Sequence, residues 1–420
     1  MTAADPRAPA HDGPTVPPGR RRDTVRRWTG RVVFAAVAAV LAHSAVFTLK
    51  DGLKGLLRET PGERSGWGGA IDLTMRHRET QQWFAGQHVM SDSSVGGSQS
   101  YPPATYAIAW PLLGWQRIGP TRALWAAASL AALAWLGFMT AWYAGARGPF
   151  QVLAAALLPF ALDGTRVCLA NGQFAILLLP ALATGVLLLA RGQPGWRRDL
   201  LGSALVLAAL AKPSFAAPFF LVLLISLRRL RPTLLVVGGY AALTALAISF
   251  RPNPTSEIFR DWLRHSYRTI TSPIGSANLD SWLVGSGLGA WTVPASLLAL
   301  AALAAWLFFR PVDDPWVVLG VTGIVARTWM YHSGYDDVLI LPAMIALIRV
   351  CAAADAPSWR RAAAAVLLVM TWASVTGLYW LWGFSRIPGW SDTRGIVWLL
   401  VLVFLAAGPA RTANRIAAAE

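Results

Sequence analysis

Apolar stretches recur along this chain from Arg31 to the end, and short segments containing Pro, Gly and Arg separate them. They run for roughly 16–22 residues, about the length that a helix needs to cross the ~30 Å hydrocarbon core of a bilayer. A transmembrane β-barrel would instead show alternating segments of about ten residues. The pattern therefore predicts an all-α polytopic membrane protein.

Composition and charge agree with this prediction. The 420 residues are 55% hydrophobic and 14% charged, whereas a soluble domain carries about 25% charged residues. The net charge of +16 raises nucleic acid as a partner. However, the arginines lie in short loops between apolar stretches, which is typical of the positive-inside rule. We therefore expect membrane lipids, and no nucleic acid, as partners.

The polar segments predict the domain organisation. Residues 1–30 are rich in Pro, Ala and Arg and are predicted to form a disordered basic cytoplasmic tail. A single transmembrane domain is predicted at 31–410, followed by a cytoplasmic tail at 411–420. Within this domain we expect a first external loop at 50–100 and a second at 251–290.

Two features near the start of the domain affect the count of spans. The first apolar run is followed by a poor cleavage site, so we expect an uncleaved anchor and not a signal peptide. The run at 104–116 is short and contains Pro111. The sequence contains thirteen apolar runs, whereas two cytoplasmic termini require an even number of crossings. Either one run is not a full span or one terminus is misplaced, and the run at 104–116 is the expected exception.

The first external loop carries an acid, Asp72, near its start. Around it, Ile71 and Trp83 belong to a rough helical stripe of hydrophobic residues, which predicts a short helix in the membrane interface. Ser and Gly residues at 91–100 indicate a flexible connector. The chain then becomes apolar at Tyr101.

Several polar residues are expected on the same side of the membrane as this loop. One such residue alone is more often an interfacial or satisfied polar group. Together they predict the lining of an outward-facing cavity. The set consists of Asp72, His77, Tyr101, Asn171, Gln173, Lys212, Arg327, His332, Asp336 and Asp337.

These residue types suit the transfer of a sugar. A hydroxyl that attacks an activated sugar needs a carboxylate to accept its proton, and Asp72 can do this. A phosphate leaving group needs cations to stabilise its developing charge. The candidate cations are Lys212, Arg327 and Arg76. The side chains that can hydrogen-bond sugar hydroxyls are Tyr101, Asn171, Gln173 and His332.

The cations also have structural interpretations. Arg327 could form an ion pair with Asp336 or Asp337, and Lys212 could extend its amine to the membrane interface. The sequence contains no P-loop, and no His, Cys and carboxylate residues have zinc-site spacing. We therefore expect neither a metal ion nor another cofactor.

The motifs occur in a recognisable order. A membrane span precedes the loop with Asp72, and the later motifs are Tyr101-Pro102-Pro103, Asn171-Gly172-Gln173, Lys212-Pro213, and Trp329 followed by His332. This order resembles the integral-membrane GT-C glycosyltransferases and, within them, glycosyltransferase family 87. That family comprises bacterial transferases that use polyprenyl-phosphate sugars. The resemblance covers roughly residues 30–350.

The resemblance implies a GT-C-type fold of about 12–13 transmembrane helices, with an external catalytic loop after the first helix. It implies that Asp72 is the general base and that the later motifs surround the cavity. One departure lies beside the base. Family loops often continue Asp-Phe/Leu-x-x-Tyr, whereas Asp72-Leu73 is followed here by Thr74-Met75-Arg76-His77.

The resulting prediction is a hexosyltransferase of the cytoplasmic membrane. It would transfer a hexose, with mannose expected, from a polyprenyl-phosphate donor to a hydroxyl of a glycolipid or glycan acceptor, with inversion, at the outer face. Two alternatives stay open: a transporter or flippase of a lipid-linked saccharide, and a non-catalytic subunit of a membrane assembly. No pair of similar halves is evident in the sequence, which disfavours a transporter built from inverted repeats.

Overall fold

The computed structural model of the chain describes residues 18–58, 69–87, 89, 101–191, 195–270, 277–310, 314–376 and 390–408. In this part of the chain the regular secondary structure is helical, and one isolated antiparallel bridge joins Leu162 to Thr376. The α-helices are α1 (Pro18–Leu57), α2 (Ile71–Phe84), α3 (Pro103–Leu113), α4 (Ile118–Tyr143), α5 (Pro149–Leu157), α6 (Asp163–Asn171), α7 (Ala175–Ala190), α8 (Trp196–Ala209), α9 (Pro213–Leu221), α10 (Leu230–Ser249), α11 (Thr255–Ile270), α12 (Leu279–Gly285), α13 (Thr292–Phe309), α14 (Pro315–Thr328), α15 (Leu341–Ala352), α16 (Ser358–Val375) and α17 (Trp390–Ala406). Short 3₁₀ or π turns occupy Leu158–Ala161, Val222–Ser226, Gly289–Trp291 and Gly334–Ile340.

Several helices are long and apolar enough to cross a membrane, which confirms the predicted all-α polytopic class. Within the described residues there are four: Thr29–Leu57 of α1, α4, α10, and Gly289–Phe309, which includes α13. Helices α6 and α7 form a fifth candidate if they are taken together, although the chain bends by 117° between them.

The described residues do not show the expected 12–13 spans as separate full-length helices. Several apolar runs form shorter helices of 10–17 residues instead. Proline and glycine explain this difference, because they interrupt the runs and end helices. The 104–116 run corresponds to α3, whose 11 residues span only about 16 Å, so this run is not a full span.

Helix α1 is longer than the sequence suggested. It includes residues 18–30, which were expected to be disordered, and it ends at Leu57, so the first loop begins after residue 57 and not at 50. The extension to Leu57 is stabilised by close packing of α1 on α6. Leu56 is fully buried, and a Cβ at Gly55 would lie only 2.8 Å from the Cβ of Ala170.

Helix α2 confirms the short helix predicted in the first loop, but its environment differs from the prediction. Arg76, His77 and Glu79 are buried, whereas Ile71 is 47% exposed. An interfacial helix would bury its apolar stripe in lipid and expose its charges. Helix α2 instead packs its polar face into the protein, against α3, α4 and α6.

The centre of the helical bundle is formed by α14, in which nearly every residue is buried. Helix α15 packs beside it with its segment Leu341–Leu347 buried. The outer helices expose large apolar side chains; on α13, Leu298 is 70% exposed and Phe309 is 77% exposed. Exposed apolar surface of this extent is typical of contact with membrane lipid.

The two ends of α14 differ in chemistry. At its start, Asp314 accepts a hydrogen bond from Arg349 at 2.8 Å, and Arg349 also donates to the Tyr143 carbonyl at 2.9 Å. At its other end, about 20 Å away along the axis, Arg327 binds Asp337. At one end of the bundle Arg349 therefore links α14 to its neighbours. At the opposite end, acids and cations form the candidate site.

Candidate functional site

Helix α2 is held in place at its first turn, where Asp72 lies. The N–H of Gly69 donates to the Gly55 carbonyl at 3.0 Å, and that of Ala70 donates to the Ala170 carbonyl at 2.9 Å. Ala70 adopts a left-handed conformation with φ of 52°, which turns the chain sharply into the helix. Asp72 is thereby fixed beside the end of α6.

The Asn171-Gly172-Gln173 motif is the break between α6 and α7. Gly172 is left-handed with φ of 67°, and the N–H of Gln173 donates to the Cys168 carbonyl at 2.9 Å. This is the hydrogen-bond arrangement that ends a helix at a left-handed glycine. The turn places the Gln173 side chain against Asp72, to which its amide donates a hydrogen bond.

Gly172 also determines how closely α2 can approach. A Cβ at this position would lie 2.4 Å from the Cβ of Leu73, which is fully buried. Gly172→Ala should therefore lower the free energy of unfolding by more than the ~1–2 kcal/mol that a left-handed conformation costs a non-glycine residue. We also expect a lower transfer rate, because the displaced α2 carries Asp72. Thermal unfolding in detergent measures the first effect.

Gly145→Ala is the matched control for this variant. Gly145 has nearly the same φ, 68°, but no atom lies within 4 Å of its added Cβ. Gly145→Ala should therefore show only the stability cost of a left-handed backbone, without the steric contact that Gly172→Ala makes with Leu73. Equal losses of stability in the two variants would contradict the proposed packing of α2 on Gly172.

Arg76 forms a buried ion pair one turn after Asp72. Its Nη1 lies 2.5 Å from Oε2 of Glu79, and its guanidinium carbon lies 4.7 Å from the centre of the Tyr101 ring. Burial raises the pKa of Glu79, and the charge of Arg76 opposes that rise. Glu79 was not predicted as a site residue, although Arg and Glu three positions apart on a helix are an available signal.

Lys212 lies at the break between α8 and α9. Pro213 disfavours helical geometry at the residue before it, and Lys212 accordingly has φ of −124° and ψ of 88°. Its Nζ donates to Oδ1 and Oδ2 of Asp336 at 2.6 and 2.8 Å and lies 4.9 Å from the centre of the Tyr335 ring. Lys212 therefore points into the protein and does not extend to the membrane interface.

Asp336 also binds His332. The Nδ1 atom of His332 lies 2.7 Å from Oδ2 of Asp336, and Asn278 holds the backbone by donating to the His332 carbonyl at 2.9 Å. His332 is fully buried, and among the described residues its Nε2 has no hydrogen-bond partner. With Nδ1 donating to Asp336, a neutral ring presents Nε2 as an acceptor for a ligand hydroxyl.

Asp337, the next residue, organises a second ion pair. Its carboxylate accepts from Nε of Arg327 at 2.7 Å and from Nη1 of Arg394 at 2.9 Å. Both guanidinium groups also lie near the ring of Trp398, at 5.0 and 5.9 Å from its centre. The predicted ion pair of Arg327 is therefore found with Asp337. Arg394 was not predicted, since α17 follows Asp337 only after a long stretch of chain.

The structure brings most of the predicted residues to one centre, linked through Asp72 and Asp336. The charges of Arg76, Lys212 and Asp336 all act on the Asp72 carboxyl, and Gln173 bonds it directly. The residues of this centre are Asp72, Arg76, Tyr101, Gln173, Lys212, His332 and Asp336.

Four predicted residues lie outside this list. Arg327 and Asp337 form the second ion pair, and the other two are His77 and Asn171. His77 lies on another face of α2, where its Nε2 is 2.8 Å from the Gln116 carbonyl oxygen and 3.3 Å from Nε2 of Gln81. The His77 side chain therefore joins α2 to the turn before α4, and it does not face Asp72. Asn171 is the buried last residue of α6 and directly precedes the left-handed Gly172 that ends the helix.

Asp72 has the electrostatic environment of a candidate base. The side chain is half-buried, and α2 is not one of the membrane-spanning helices. Burial raises the pKa of the Asp72 carboxyl, while the hydrogen bond from Gln173 and the charges of Arg76 and Lys212 offset part of the rise. A raised pKa makes a carboxylate a stronger proton acceptor.

The described residues include no group of three or more His, Cys, Asp or Glu side chains that could hold a metal ion. The positively charged side chains of the centre, Arg76 and Lys212, each form an ion pair with an acid, as do Arg327 and Arg394 in the neighbouring ion pair around Asp337. These side chains can transfer protons, donate and accept hydrogen bonds and stabilise charge.

The fold and this centre define a polytopic membrane protein with a buried, charge-paired site at one end of its helices. The family model for glycosyltransferase family 87 matches residues 100–371, and the chain belongs to this family. The expected family is thus confirmed, and the protein is a glycosyltransferase with a sugar donor and an acceptor as substrates. Asp72 and Arg76 precede the matched range. No curated protein and no solved structure matches the chain.

Proposed function

We propose that this glycosyltransferase transfers a hexose from a polyprenyl-phosphate donor to a hydroxyl of a glycolipid or glycan acceptor. Mannose is the expected sugar, and the outer face of the cytoplasmic membrane is the expected location. The observation that carries the proposal is the position of Asp72. It is a half-buried acid, oriented by Gln173, that faces Lys212 and Arg76 at one end of the bundle.

In the proposed reaction, Asp72 accepts the proton of the acceptor hydroxyl. The hydroxyl oxygen forms a bond to the anomeric carbon while the bond from that carbon to the phosphate oxygen breaks. The electron pair of the broken bond leaves with the lipid phosphate, and attack from the opposite side inverts the anomeric carbon. Asp72 then releases its proton to water.

Among the candidate cations, Lys212 is better placed than Arg327 to stabilise the leaving phosphate. The charge of Lys212 acts on Asp72, whereas Arg327 is fully buried and bonded to Asp337. Among the described residues, Lys212 forms its ion pair with Asp336. A phosphate that enters the site would share the Lys212 amine, which has three donors.

The test is transfer from a radiolabelled polyprenyl-phosphate mannose in membranes that contain the protein, with membranes lacking it as the control. We expect a labelled acceptor and the release of unlabelled polyprenyl phosphate. A transporter of lipid-linked saccharide would instead move the label across the bilayer without forming a glycosidic bond. Folded protein that transfers sugar from no polyprenyl-phosphate donor would overturn the proposal.

A further inference from the structure

Arg251 follows the end of α10, at the same end of the bundle as α2. It is 9% exposed, and among the described residues its Nε and Nη1 atoms have no hydrogen-bond partner. Its Nη2 atom makes one long hydrogen bond, 3.4 Å, to Oδ1 of Asn253. A buried guanidinium therefore has most of its donors available.

Each of the other buried arginines of the described chain binds an acid or a backbone carbonyl. Arg76 and Arg327 form ion pairs with Glu79 and Asp337, and Arg122 donates to the Arg58 carbonyl at 2.5 Å. Arg251 forms no ion pair with any described residue. Burying a charge without a partner is costly, and this burial lowers the pKa of Arg251. An anionic ligand would remove that cost.

The surroundings of Arg251 are aromatic and rigid. Its guanidinium carbon lies 5.0 Å from the centre of the Trp83 ring. Trp83 donates from Nε1 to the Ala247 carbonyl at 2.8 Å and stacks on Tyr106 with ring centres 4.4 Å apart. Arg251 is therefore held beside the last turn of α2 by fixed side chains, and its planar group is available for a phosphate.

An exposed aromatic strip begins next to this guanidinium. Phe250 is 46% exposed and Trp110 is 42% exposed. Phe84 lies between them, with ring centres 4.9 Å from Phe250 and 6.2 Å from Trp110. A cation beside an exposed aromatic strip at the end of membrane helices complements a lipid, whose phosphate and apolar chain are adjacent.

We propose that Arg251 and Trp83 form a binding site for the phosphodiester of an anionic membrane phospholipid, with its apolar chain along Phe84, Phe250 and Trp110. The site is separate from the reacting centre. Asp72 and Trp83 are eleven positions apart on α2, a rise of about 16 Å. A phosphate at Arg251 is therefore too distant to be the leaving group of a sugar that reacts at Asp72. The separation of the two sites rests on the proposed function.

The experiment measures binding and not transfer. Purified full-length protein in a neutral detergent is titrated with phosphatidylglycerol or with phosphatidylcholine, and retained lipid is counted by native mass spectrometry. We expect the wild-type protein to prefer phosphatidylglycerol and Arg251→Met to bind it at least tenfold more weakly. The matched control is Arg260→Met, which removes an exposed arginine from α11 and should change binding less than twofold.

Stability separates a binding role from a structural one. Because Arg251 forms no ion pair with a described residue, Arg251→Met without lipid should unfold at the same or a higher temperature than the wild type. Phosphatidylglycerol should raise the unfolding temperature of the wild type but not that of Arg251→Met. Wild-type affinity for phosphatidylglycerol in Arg251→Met would overturn the proposal.

Two further arms identify the lipid and keep the two proposals apart. Tighter Arg251-dependent binding of a short polyprenyl phosphate than of phosphatidylglycerol would overturn the assignment to a phospholipid. Asp72→Asn should bind phosphatidylglycerol as the wild type does. The site can therefore be verified even if the protein transfers no sugar from a polyprenyl-phosphate donor.

Discussion

Asp72→Asn should reduce the rate of sugar transfer by about 10²–10⁴-fold, the usual contribution of a general base. Asparagine has nearly the same shape and can still accept the hydrogen bond from Gln173, so α2 should keep its position. It cannot accept the proton of the acceptor hydroxyl. The measurement is the initial rate of transfer from a radiolabelled lipid-linked donor at equal amounts of folded protein.

The control for this variant is Asp261→Asn on α11, which removes a carboxylate outside the proposed centre. Asp261 is partly exposed and lies 3.9 Å from Arg264, so its loss should leave transfer unchanged. If Asp72→Asn transfers sugar at the wild-type rate, Asp72 is not the base. In that case Glu79, the other acid on α2, would be the next candidate for the base.

The pH dependence of the wild type gives an independent measure of the same group. Only the ionised carboxylate accepts a proton, so transfer should decline as the pH falls through the pKa of Asp72. Burial raises that pKa above its ordinary value. The decline should therefore occur at a higher pH than the ~3.9 of an unperturbed aspartate. The residual rate of Asp72→Asn should lack this decline.

The hydropathy pattern predicts much of this fold because the bilayer determines both the length of the apolar segments and the placement of arginines in the loops between them. It also predicts the polar breaks at Asn171-Gly172-Gln173 and Lys212-Pro213, where glycine and proline end helices. It does not predict that α2 buries Arg76 and Glu79. In sequence, that helix has the charges of a surface helix, and only packing against α3, α4 and α6 makes its polar face the inner one.

The sequence predicts which polar residues line the site better than it predicts which of them form ion pairs with each other. Lys212 and Asp336 are 124 positions apart, and sequence alone left Asp336 and Asp337 as equal partners for Arg327. The 3₁₀ turn at Gly334–Ile340 resolves the choice, because its consecutive carboxylates contact different partners. Asp336 meets Lys212 and His332, whereas Asp337 meets Arg327 and Arg394.

Asp336→Asn should have the largest effect on stability. Asp336 is 1% exposed, and its carboxylate accepts from both Lys212 and His332. Removing one partner of a buried ion pair typically costs about 3–5 kcal/mol, because the remaining charge is left uncompensated. We expect a loss of this size in the free energy of unfolding, measured by denaturant titration in detergent, together with a loss of transfer.

The double variant Lys212→Met/Asp336→Asn separates stability from function. Methionine removes the orphaned charge while keeping most of the side-chain volume, so the double variant should recover much of the stability lost in Asp336→Asn. Transfer should stay low, because the cation proposed to stabilise the leaving phosphate is gone. If transfer recovers together with stability, the pair only maintains the fold, and the phosphate must be stabilised by another cation, such as Arg76.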